Sequence, residues 1–99
     1  MSIVEDNKDK VKALCDEHKV GTLFVFGSVL RSQFNETSDL DFVVDFKDIE
    51  LYDYADNYFD FKDGLESLFN RPIDLLEESA IKNPILKQSI DRSKVLIYG

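Results

Sequence analysis

Cysteine occurs once, at Cys15, which excludes an intramolecular disulfide framework and a cysteine-rich metal site. Glycine and proline are scarce, four and two residues, while 43% of the chain is hydrophobic, with eight Phe and four Tyr. That balance excludes a disordered or low-complexity chain and describes a globular one. Basic residues are outnumbered by acids, 12 to 20, for a formal net charge of -8. Such a field repels a phosphate backbone, so DNA or RNA is a poor direct partner. Long apolar runs are missing as well: "MSIVEDNKDKVK" has no apolar signal core, and no later run approaches the roughly 18 apolar residues of a membrane span. The expectation is a soluble, cytoplasmic protein with no membrane partner. At 99 residues it is expected to form a single domain, 1–99, with one core.

What is present is an alternation of helical and strand patterns. Ile3, Val4, Val11, Leu14 and Cys15 have helical spacing and predict a first helix to about His18. "GTLFVFG" predicts a buried strand closed by glycine at both ends. "SVLRSQF" reads as a short helix or turn and "NETSD" as a polar loop. "LDFVVDF" alternates cleanly, with Leu40, Phe42, Val44 and Phe46 on one face and Asp39, Asp41, Val43 and Asp45 on the other. A helix is predicted from about Asp53 to Phe69, with Gly64 as its weak point, then a strand in "RPIDLLEE". Asn83 and Pro84 read as the N-cap and first position of a helix ending near Ser93, and "KVLIY" is the last strand. The order αβαβαβαβ predicts an α/β (α+β) fold, a mixed sheet of about four strands with helices packed against it.

Three acids on one face of a strand, Asp39, Asp41 and Asp45, are costly if confined. Positions i and i+2 lie about 7 Å apart, where repulsion is about 0.6 kcal/mol in water and about 2.4 kcal/mol at an effective dielectric near 20. Asp45, near the strand end, is simply explained as a surface acid. Asp39 and Asp41 gain meaning from "FGS" upstream, where a strand gives way to a helix. Gly27 lets another group approach the backbone, and Ser28 offers an N–H and a hydroxyl, so this corner suits a phosphate. After ten intervening residues, Asp39 and Asp41 suit hard divalent cations such as Mg²⁺, which also accept phosphate oxygens. His18 and Cys15 read as a solvated helix-end residue and a small core hydrophobe. Asp53, Asp56, Asp60 and Asp63 read as a solvated helix face, and Tyr52, Tyr54 and Tyr58 as packing residues.

Gly27, Ser28, Arg31, Ser38, Asp39 and Asp41 together resemble the GS(x10)DxD signature of the minimal nucleotidyltransferases, a small branch of the DNA polymerase β-like superfamily. The match departs at Ser32, where many members have glycine. "SLFNRPIDLLEE" is similar to the segment in which that family places its third carboxylate, here Asp74. The resemblance implies the polymerase β-like nucleotidyltransferase fold and an enzyme that uses ATP with Mg²⁺, two ions being expected for in-line transfer. Asp39 and Asp41 would hold both ions, and Asp74 would complete the acceptor-side ion and take the acceptor's proton. Gly27, Ser28, Arg31 and Ser38 would bind the nucleotide; Arg31 reaches either a phosphate or a carboxylate, and Ser38 either contacts the nucleotide or shapes the loop. Many such proteins are antitoxins paired with HEPN-domain toxins, and some transfer AMP to a toxin tyrosine. The alternative from a different class is a non-catalytic antitoxin that inhibits its HEPN partner by occlusion.

Overall fold

The computed structural model describes residues 2–27 and 39–99. Its elements run α1 (Ser2–Asp6), α2 (Lys8–Glu17), β1 (Val20–Phe26), β2 (Leu40–Phe46), α3 (Leu51–Phe69), β3 (Ile73–Glu77), a 3-10 turn (Glu78–Ala80), α4 (Pro84–Ser93) and β4 (Val95–Tyr98). The four strands form one sheet in the order β3-β2-β1-β4. β1 is antiparallel to both β2 and β4, whereas β2 and β3 are parallel. The sheet is therefore mixed, as the element order implies. A parallel pair needs a long crossover, and α3, 19 residues long, supplies it.

The helix expected from Ile3 to His18 is two helices, broken at Asn7. The Asn7 side chain donates from Nδ2 to the Ile3 carbonyl at 2.8 Å. That local bond competes with the helical backbone ladder, which the apolar periodicity alone does not register. α3 starts at Leu51 rather than Asp53; Leu51 and Tyr52, 89% and 95% exposed, lie off the buried stripe, so the stripe does not mark the true start. Tyr52 is thus not a packing residue. The other boundaries follow local chemistry. Asn70 closes α3 with φ 53°, a left-handed conformation that asparagine tolerates. Asn83 caps α4 by accepting from Ile85 N at 2.9 Å and Leu86 N at 3.3 Å, with Pro84 in the first turn.

One face of the sheet carries the main core. Leu23 and Val25 of β1, Leu40, Phe42 and Val44 of β2, and Ile73 and Leu75 of β3 pack with Val11 and Cys15 of α2 and Phe61 and Leu65 of α3. Val20 and Leu23 both point inward although three residues apart, because a bulge at Gly21 rephases β1. Gly64, which propensity marks as a weak point, is a close approach: a Cβ there would lie 2.9 Å from Leu14 Cδ2. The opposite face is partly covered. Val43 is buried, and Lys94 Nζ at the end of α4 sits 4.2 Å from the centre of the Phe24 ring. Among the described residues no helix is long and apolar enough to cross a membrane.

Candidate active site

β1 ends where β2 and β3 begin, and three carboxylates are positioned there by backbone register. Phe26, the last residue of β1, pairs with Asp41. Asp41 in turn pairs with Asp74 across the parallel β2–β3 ladder, between the pairs Leu40 with Ile73 and Phe42 with Leu75. Those four apolar residues are all buried in the main core, so alternation sends Asp41 and Asp74 to the opposite face. Neighbouring strands are about 4.8 Å apart. Asp39 lies two residues before Asp41, about 7 Å along the strand, and is exposed like Asp74, while Asp41 is half-buried. The Leu40 amide donates to the Pro72 carbonyl at 3.2 Å, tying the starts of the two strands together.

Gly27 completes the corner. Its φ is +77°, and a Cβ there would overlap the Asp41 carboxylate oxygen and come within 3.1 Å of Asp41 Cγ. Glycine is favoured by the left-handed backbone, and its missing side chain leaves room for the Asp41 carboxylate. Asp45 stands apart at the far end of β2, exposed and paired with Thr22, a surface acid as expected. Ser28, Arg31, Ser32 and Ser38 lie outside the described residues.

Register places the three carboxylates on one face, and among the described residues no group of three or more His, Cys, Asp or Glu is placed to hold a metal ion.

Two tyrosines on α3 fasten the edge strand that carries Asp74. Tyr58 donates its hydroxyl to the Leu75 carbonyl and Tyr54 to Glu77 Oε2. Burial, then the charges of Glu77 and Asp74, push the Tyr58 hydroxyl above its ordinary pKa. Burial and the bond to Glu77 push Tyr54 further up. Sequence reasoning made these two packing residues and missed their bonds to β3; the i, i+4 spacing of two tyrosines in the helix leading to that strand is the available signal. Cys15 is fully buried, as expected, and desolvation raises its thiol to about 12. His18 does end α2, but it is half-buried rather than solvated: Nδ1 lies 2.8 Å from the Leu14 carbonyl and the ring 5.6 Å from Phe61.

A family model described as a nucleotidyltransferase domain matches residues 8–97. The chain belongs to that family. A provisionally named protein adenylyltransferase of Methanocaldococcus jannaschii is 39% identical over 87 residues, covering 88% of this chain and 84% of the relative. A solved structure, provisionally named a minimal nucleotidyltransferase, superposes with a TM-score of 0.76 at 28% identity, covering 93% of this chain and 90% of its own. A tri-AMPylated Shewanella oneidensis HEPN toxin in complex with its MNT antitoxin also matches, with a TM-score of 0.67 over 96% of this chain and 71% of that one. At 18% identity, that match shows the fold alone. The nucleotidyltransferase thus has the mixed four-stranded sheet of the minimal fold.

Proposed function

We propose that this nucleotidyltransferase moves AMP from ATP to a tyrosine hydroxyl of a HEPN-domain toxin, with Mg²⁺, and so acts as an antitoxin. The observation that carries this reading is the pairing of Asp41 with Asp74 directly against the Gly27 turn. The similarity to a named protein adenylyltransferase supports the reaction, and the fold shared with an antitoxin bound to an AMPylated HEPN toxin supports the partner.

The donor set fits a hard divalent cation: three carboxylates on one face at the starts of adjacent strands. Asp39, Asp41 and Asp74 would hold Mg²⁺, two ions in the full reading. When bound, Mg²⁺ supplies charge neutralisation to the triphosphate and to the leaving pyrophosphate. The chain's own groups do the rest. Gly27 leaves the backbone open beside Asp41, and Ser28, with Arg31 and Ser38, is assigned to the phosphates and nucleotide by the sequence motif. Asp74 takes the phenolic proton as the acceptor oxygen bonds to the α-phosphorus; the bond from that phosphorus to the β-phosphate oxygen breaks, and pyrophosphate leaves.

The alternative is a non-catalytic antitoxin that inhibits the same partner by occlusion. Calorimetry and co-expression separate the two. Catalysis predicts that Mg²⁺ adds an ATP-binding event that is absent in EDTA and weakened in Asp39→Ala and Asp74→Ala, and that both variants lose growth rescue. No Mg²⁺-dependent ATP binding, with full rescue by both variants, favours occlusion.

A further inference from the structure

A second concave site lies far from the acid corner. It is a cavity of about 440 Å³ at the start of β1, bounded by α2 and the end of β4. Its edge carries Lys8 and Lys12, one turn apart on α2, and Lys47, just after β2, against a single acidic side chain, Asp9. Three of the 12 basic residues therefore meet at one cavity in a chain of net charge -8. The ion pairs within 4 Å among the described residues belong to Lys87 and Lys94, so none of these three lysines has a described carboxylate that close. An anion placed among three cationic side chains is favoured by charge.

The rest of the lining is suited to a ligand rather than to water alone. Tyr98 lines the cavity while its hydroxyl donates to Asp16 Oδ1, which holds the ring in place. Gly21 and Gly99 present backbone, and their approach is tight: a Cβ on Gly99 would lie 2.9 Å from Thr22 Cγ2. The volume falls in the range of small-molecule sites, roughly 300–1,000 Å³. Gly21 near the start of β1 and Gly27 just past its end are six residues apart, roughly 20 Å at 3.3 Å per residue, so this cavity and the carboxylates occupy opposite ends of the strand.

We infer that the Lys8–Lys12–Lys47 cavity is a metal-independent binding site for a polyphosphate, either inorganic or the tail of a nucleotide. Lysines are point charges suited to a phosphate without a bridging cation, whereas the acid corner repels one. The inference does not depend on the transfer reaction proposed above.

The test is calorimetry in EDTA, which removes any cation-bridged binding at the carboxylates, with inorganic triphosphate, ATP and AMP as probes. Triphosphate and ATP should bind, AMP about tenfold or more weakly, and affinity should fall with salt. Equal affinities for ATP and triphosphate assign the site to the phosphates alone; tighter ATP assigns the base to the Tyr98 wall. Replacing Lys8, Lys12 and Lys47 together by Gln, all exposed positions, should weaken binding about tenfold or more while circular dichroism stays unchanged. Replacing Lys10, Lys82 and Arg92, exposed and outside the cavity, should not. Absence of triphosphate binding in EDTA, or equal weakening by both triple variants, overturns the inference.

Discussion

Gly27 and Asp41 are fitted to one another, and each can be tested singly. Gly27→Ala puts a Cβ into the Asp41 carboxylate and forces an L residue to φ +77°. The left-handed backbone alone costs about 1–2 kcal/mol, so urea unfolding should show at least that loss, along with reduced ATP binding. Asp41→Asn keeps the shape of a half-buried side chain and should shift stability by less than about 1 kcal/mol. Transfer should nevertheless drop about a hundredfold or more, as when a group aimed at transition-state charge is removed; a large fall in melting temperature would mean Asp41 is structural. Cys15 gives a pH prediction. Its thiol ionises near 9.0 when free and near 12 in the fold, so the unfolded chain loses the proton first. Stability from this group is complete below about pH 9 and is lost as pH rises towards 12, Tyr54 and Tyr58 acting in the same direction. Denaturation midpoints should fall from pH 8 to 11, less steeply in Cys15→Ala, and thiol reagents at pH 8 should label Cys15 only after unfolding.

Among the elements, β2 was the most legible, because strict alternation from Leu40 to Phe46 identifies both its bounds and its acidic side. α4 was equally plain, since an Asn-Pro start has a mechanism; Asn83→Ala should cost about 1 kcal/mol by urea unfolding, through the lost bonds to Ile85 and Leu86 N. Other features depended on contacts that no local pattern encodes. Asn7 breaks a periodic helix through one side-chain bond, and Gly64 sits where Leu14 of another helix approaches. Val43 shares its face with Asp41 and Asp45 yet is buried, because chain beyond β3 returns over that face. The site divides in the same way. The spacing of Gly27, Asp39 and Asp41 could be read along the chain, but Asp74 was placed by family resemblance alone, because its partnership with Asp41 requires a parallel crossover through all of α3.

For the molecule as a whole, charge sets the terms of association. A chain of -8 attracts a basic surface, the kind an RNA-binding toxin presents, and that attraction acts mainly on the rate of encounter. Raising ionic strength from about 0.01 to 0.15 M shortens the screening length from about 30 to 8 Å, so stopped-flow association with the proposed HEPN partner should slow about tenfold while dissociation changes little. The most direct test of the central claim is the intact mass of a HEPN toxin incubated with this nucleotidyltransferase, ATP and Mg²⁺. The account predicts an added AMP mass on a toxin tyrosine with the wild-type chain and none with Asp39→Ala or Asp74→Ala, although both variants still bind the toxin. An unmodified toxin with the wild-type chain, or equal modification by both variants, would contradict it.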